Sequence, residues 1–140
     1  LMGADAVLLI VAALDDGELR AFAQLAAELD LAALVEVHDA AEVERALAAG
    51  GDLIGVNQRD LMTFAVDTER ARDLAADLPA GVVRVAESGI TGAADVVALA
   101  EAGYDAVLVG ETLVTSGDPT AATAGLVAAG IGRSGAEGDG

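Results

Sequence analysis

The sequence predicts an α/β protein built on one parallel sheet. Three observations carry this reading. Short apolar runs alternate five times with longer amphipathic stretches, the pattern of repeated strand–helix units. The apolar runs read as strands covered on both faces, as in sheets whose crossover helices lie outside. Finally, "MGADAVLLIV", "LAAGGDLIGVN" and "LAEAGYDAVLVGE" each place a Gly, one further residue and an Asp directly before a strand.

Taken in order, the first strand is expected at 6–11 and the first helix at 15–29. A second strand at 33–37 is followed by a helix at 40–49, with Asp39 as its N-cap and Glu42 three residues on. The third unit pairs a strand at 53–56 with a helix at 67–77, and the fourth a strand at 82–86 with a helix at 92–101. The fifth strand, at 106–109, leads into "GETLV", 110–114, which has the form of the first turn of a short extra helix before one at 119–129. Gly50 and Gly103 fall just past helix ends, where a left-handed residue closes a helix without a Cβ penalty. Gly3 in the same pattern implies a helix before residue 1. Residues 1–130 are read as one body and 131–140, small and polar, as a disordered tail. Five units of about 28 residues fit an open doubly wound sheet or part of an eight-unit barrel, since a complete (β/α)8 barrel takes roughly 250 residues. Periodicity does not choose between them.

Composition narrows the function. The formal net charge is −17, from 24 acidic residues against 7 basic ones, all arginine. Such a surface repels nucleic acid and anionic membranes, so neither is an expected partner. No apolar run reaches the roughly 18 residues of a membrane span, and no basic segment precedes an apolar one, so a cytoplasmic protein is expected. With no cysteine and a single histidine, His38, neither a metal nor a cofactor is expected. Chemistry falls to carboxylates, hydroxyls, amides, arginines and backbone.

In both architectures the C-terminal ends of the strands share one functional rim. Those ends read Glu36-Val37-His38-Asp39, Asn57-Gln58-Arg59-Asp60, Glu87-Ser88-Gly89 and Gly110-Glu111-Thr112. Alternation puts Glu36 on the face opposite Val35 and Val37, where an acid is either held by structural partners or needed for chemistry. His38 shares that parity but lies at the loop, as a partly exposed turn residue. Asn57 can donate and accept, which suits a substrate hydroxyl or carboxylate. Arg59 is suited to an anionic ligand, or alternatively to a salt bridge with Asp60. Ser88-Gly89 and Gly110-Glu111-Thr112 are adjacent turns with small side chains and exposed N–H groups, as in barrels that bind phosphate on their last two strands.

Residues 1 to about 130 resemble the C-terminal part of the indole-3-glycerol phosphate synthases, (β/α)8 enzymes of tryptophan biosynthesis. The resemblance rests on "GADAVLLIVAAL", "ALVEVHD", "LIGVNQRDLMTFAVD", "VAESGI" and "AVLVGETLV" in the family's order and at its approximate spacings. It implies that the five strands are the fourth to eighth of a barrel whose N-terminal units lie outside this chain. It also implies closure of 1-(2-carboxyphenylamino)-1-deoxyribulose 5-phosphate to an indole, with loss of carbon dioxide and water. On it, Glu36, Asn57 and Glu87 are catalytic, Leu8, Arg59 and Ser88 contact substrate, and Ser88, Gly89, Gly110 and the Glu111 backbone hold phosphate, with the Glu111 side chain turned away. The family's catalytic lysines belong to the first and third strands, and this chain contains no lysine. The 140 residues alone are therefore expected to have negligible ring-closing activity. Two other readings stand beside this one: a non-catalytic phosphate-binding half-barrel that self-associates or joins an assembly partner, and a different phosphate-binding barrel such as phosphoribosylanthranilate isomerase. Fusion to other tryptophan-pathway enzymes is compatible with the first reading.

Overall fold

The computed structural model describes residues 3–131. Five strands, β1 (Ala6–Ile10), β2 (Ala32–Val37), β3 (Leu53–Asn57), β4 (Val83–Glu87) and β5 (Ala106–Leu108), alternate with helices. The helices are α1 (Asp16–Glu28), α2 (Ala40–Ala48), α3 (Arg70–Leu74), α4 (Ala93–Glu101), α5 (Glu111–Thr115) and α6 (Pro119–Ile131). A single 3-10 turn, Val11–Ala13, follows β1 directly.

Every strand pairs in parallel with the next one in sequence, in the order β1-β2-β3-β4-β5. A doubly wound sheet reverses its strand order at a switch point, and no reversal occurs here. The sequential order is that of a barrel arc, and right-handed crossovers then place every helix on one face of the sheet.

That face holds the core. Val35, Val37, Ile54 and Val56 of the central strands pack with Leu19 of α1, Val43 and Ala46 of α2, and Val96 and Leu99 of α4. The other face is different, and corrects the expectation of cover on both sides. Register aligns Leu8 with Leu34 and Leu53 with Val83, yet Leu8 is 49% exposed, Val83 46% and Leu108 52%. The helices α1, α2, α3 and α4 pack into the core behind the sheet, so the margins of this apolar face stay exposed while Val85, near its centre, is buried.

The repeated joints have a common geometry. Gly3, Gly50 and Gly103 have φ of +68°, +86° and +93°, the left-handed turn expected at a helix end. Asp5 and Asp52 then offer backbone carbonyls to the N–H groups of Ala32 and Val83, at 3.0 and 2.7 Å, which begins the next ladder. The helix expected at 67–77 is shortened to α3, because the chain leaving β3 doubles back first. Arg59 bridges Val66 in antiparallel fashion, and Asp67 N–H donates to the Gln58 carbonyl at 2.8 Å. Ile131 is the last residue of α6, and the rest of the expected tail lies outside the described residues.

Candidate active site

The buried polar residues among those described are four: Glu36, Asn57, Gln58 and Glu87. All stand at the C-terminal ends of β2, β3 and β4, where the strands deliver them to one rim. Burying two acids in an otherwise apolar sheet is costly unless partners or function require it.

Register explains how the acids meet. Glu36 pairs with Gly55, and Asn57 pairs with Glu87. Side chains at paired positions of a parallel sheet share a face, so Glu36, Gly55, Asn57 and Glu87 all belong to the uncovered face. Gly55 leaves a gap that the Glu87 side chain fills: a Cβ at Gly55 would lie 1.8 Å from Glu87 Oε1. Glu87 thus reaches across β3 toward Glu36 on β2, which pairs with Gly55. Burial first, and then the neighbouring Glu36 carboxyl, raise the Glu87 carboxyl from 4.5 to about 7. A buried acid that keeps its proton to near neutral pH beside a second carboxyl is equipped for acid–base work.

Asn57 Oδ1 accepts the Arg59 N–H at 2.9 Å, which commits its carbonyl and leaves its amide donors toward the rim. Arg70 donates to the Asn57 backbone carbonyl at 3.1 Å and steadies the end of β3.

Beside the acids lies a pocket of about 1100 Å³ whose walls include Arg59, Glu87, Ser88, Gly89, Gly110 and Glu111. Ser88 and Gly89 are consecutive left-handed residues, with φ of +64° and +69°, and together they form a sharp turn in the pocket wall. A side chain at Gly89 would collide with Val66 Cγ1 at 2.5 Å, so this turn packs directly beneath the β3–α3 loop. Gln58 holds it in place: Nε2 donates to the Ser88 carbonyl at 2.8 Å, and the Gln58 N–H donates to the Glu87 carbonyl at 2.9 Å. Thr112 Oγ1 ties the next turn in by donating to the Ile90 carbonyl at 2.5 Å.

Several residues differ from their sequence reading. Arg59 does not pair with Asp60, whose carboxylate instead accepts from Met62 N–H, Thr63 N–H and Thr63 Oγ1. Arg59 Nη2 reaches Glu111 Oε2 at 2.5 Å, so the Glu111 side chain faces the pocket rather than turning away. Leu8 shares the uncovered face with Glu36 but pairs with Leu34, two residues below the acid. His38 is the partly exposed turn residue expected, its side chain 13% exposed, and it lies between two carboxylates. Gln58 had no role in the sequence reading. Its parity with Ile54 and Val56, which pack against the helices, was the available signal that a polar residue there must bind backbone.

The sequential parallel sheet, with buried acids on the rim at its strand ends, defines the class: an arc of a (β/α)8 barrel. Solved structures share this fold, including 3-hexulose-6-phosphate synthase from Salmonella typhimurium, at a TM-score of 0.78 and 20% identity, covering 92% of this chain and 63% of that one. Thiamine phosphate pyrophosphorylase from Pyrococcus furiosus aligns with a TM-score of 0.72 and 20% identity, over 91% of this chain and 60% of that one. The family model of indole-3-glycerol phosphate synthase matches residues 1–126. Proteins of that name from Mycobacterium bovis and Mycobacteroides abscessus are 56% and 55% identical over 128 residues, 91% of this chain and 47% of each relative. The chain belongs to the indole-3-glycerol phosphate synthase family, and it spans about half the length of the curated relatives it matches.

Proposed function

We propose that this chain forms the phosphate-holding and proton-transferring half of a site that closes 1-(2-carboxyphenylamino)-1-deoxyribulose 5-phosphate to indole-3-glycerol phosphate, releasing carbon dioxide and water. The observation that carries this is the buried Glu36–Glu87 pair meeting across Gly55 beside a pocket walled by Arg59 and two small-residue turns. Ring closure by a dehydrating, decarboxylating route needs a proton delivered to a leaving hydroxyl and another taken from carbon, and paired carboxyls with one shared proton suit such transfers. Asn57 orients the substrate through its free amide donors. Ser88, Gly89, Gly110 and the Glu111 N–H surround the phosphate, with Arg59 released from Glu111 to meet its charge. Leu8 lies on the apolar sheet face that would receive the aromatic ring.

The chain has no lysine, so cationic acid catalysis must come from a complementary segment. The experiment is complementation. The 140-residue chain is mixed with the N-terminal half of a mycobacterial relative, and indole formation is followed by fluorescence. The mixture is expected to turn over while the chain alone does not. Glu36→Gln and Glu87→Gln should each lower kcat by roughly 10²-fold, the scale of general acid–base catalysis, with little change in KM. Losses confined to KM refute the acid–base roles.

The exposed Leu8, Val83 and Leu108 favour a second reading in which this face associates with a polypeptide that covers it. Sedimentation of the chain alone tests this, since a persistent monomer opposes it.

A further inference from the structure

His38 is a rim residue to which the proposed ring closure gives no work, and its surroundings are specific. Glu42 Oε2 accepts the His38 backbone N–H at 2.7 Å and lies 3.1 Å from Nδ1. A carboxylate only accepts, so Nδ1 carries a proton toward Glu42. This locks the ring with Nε2 directed at Glu36 Oε1, 3.5 Å away. Both of those atoms are buried and have no other hydrogen-bond partner. A small approach satisfies the two together, whereas separating them leaves two buried polar atoms unpaired. Beyond Glu36 the Glu87 carboxyl lies over Gly55, the residue paired with Glu36.

We propose that His38, lying between the Glu42 and Glu36 carboxylates, is held as an imidazolium with both ring nitrogens protonated, a positioning residue that donates Nδ1–H to Glu42 and Nε2–H to Oε1 of Glu36 and so leaves the proton of the facing carboxyls on Glu87. The chain Glu42–His38–Glu36–Glu87 runs from the start of α2 to the end of β4. A donor on Oε1 favours negative charge on Glu36, which then accepts from the protonated Glu87. Other charged groups nearby are already engaged. Asp39 caps α2 through the Glu42 N–H, Arg45 is held by Asp16 and the Val11 and Leu14 carbonyls, and Arg70 is bound to the Asn57 carbonyl. His38 is therefore the donor that distinguishes one acid from the other. The inference deepens the proposed acid–base function and rests on it for its use in catalysis.

The test reads proton positions in the 140-residue chain, where His38 is the one histidine and its ring nitrogens are assigned without ambiguity. Nitrogen-15 spectra at pH 6 are expected to show both ring nitrogens protonated, and carbon-13 spectra at the same pH to show Glu87 holding its proton. His38→Asn removes the Nε2 position and should move the Glu87 titration midpoint by about one pH unit, a tenfold change in the equilibrium. His38→Gln, whose amide nitrogen reaches the same place, should restore most of it, and Glu42→Gln should reproduce the loss without removing the ring. An Nε2 bare of its proton while Glu87 keeps its own overturns the proposal. So does a Glu87 midpoint indifferent to His38→Asn and Glu42→Gln. Because none of these readouts needs turnover, they fail separately from the kcat test of Glu36→Gln, which bears on the catalytic reading.

Discussion

Replacing Glu87 by Gln is expected to stabilise the fold at pH 8 and to leave it nearly unchanged at pH 4. Glu87 is 3% exposed, so its charge is barely screened by solvent. Burial and the Glu36 carboxyl raise its titration from 4.5 to about 7. Between those values the folded protein keeps a proton that the unfolded chain has released, so stability falls as the pH rises through that window. The interval is about two and a half pH units at 1.36 kcal/mol each, or roughly 3 kcal/mol of folding free energy lost by pH 8. Below 4.5 both states hold the proton and the difference vanishes. Gln mimics the protonated acid, donates to Glu36 in the same way and cannot ionise. Urea unfolding of both proteins at pH 4, 5, 6, 7 and 8, monitored by far-ultraviolet circular dichroism, measures the difference directly. Effects of titrating groups remote from the Glu36–Glu87 pair cancel in the comparison, so the difference reports the pair. The reasoning is refuted if the stability difference between the two proteins is flat across this range, or if it favours Glu87 as the pH rises. The expected result would show an acid retained against stability, as functional sites commonly require.

Two further substitutions follow from the same geometry. Gly55→Ala places a Cβ 1.8 Å from Glu87 Oε1 and 3.1 Å from Leu34 Cδ1, so Glu87 must leave the Glu36 carboxyl. A loss of about 1–3 kcal/mol from overpacking is expected in urea unfolding, together with a Glu87 titration that falls toward 4.5 in carbon-13 spectra. Tyr104 is buried and donates to the Ala71 carbonyl at 2.6 Å. Tyr104→Phe should cost about 1–3 kcal/mol by stranding that acceptor. Burial raises the Tyr104 hydroxyl from 10.0 to about 12, so the unsubstituted protein should weaken between pH 10 and 12 in a way that the Phe variant does not.

What the sequence made legible was whatever depends on short-range pattern. The five strands, the Asp39 cap of α2, the left-handed turns at Gly50 and Gly103 and the short helix after Gly110 all follow from neighbours within a few residues. The rim residues were also found, because an acid or amide that ends an apolar strand is conspicuous. Their mutual arrangement was not. The meeting of Glu36 with Glu87 depends on the register of three strands and on Gly55 between them, and alone Gly55 reads as a small residue in a strand. The Arg59–Glu111 pair spans 52 residues of sequence, beyond any local rule. Glu42 was expected to close a capping box on Asp39, but its side chain reaches one residue further back, to His38. Strand order was equally hidden, since periodicity is the same in a doubly wound sheet and a barrel.

The sequential order of the strands also bears on how the chain acquires its fold. Each ladder joins residues about 20 to 30 apart, as in Ala6 with Ala32 or Leu53 with Val83. Loop-closure costs over that range differ by only about 0.4 kcal/mol, because they grow with the logarithm of length. Chain entropy therefore favours no pair of units as the starting point, and side-chain content decides. β5, with three paired residues and two of its three positions exposed, has the least to offer. Amide hydrogens of β5 should exchange with solvent before those of β2 and β3, the order expected if assembly begins at the centre of the arc and ends at the turn through Gly110.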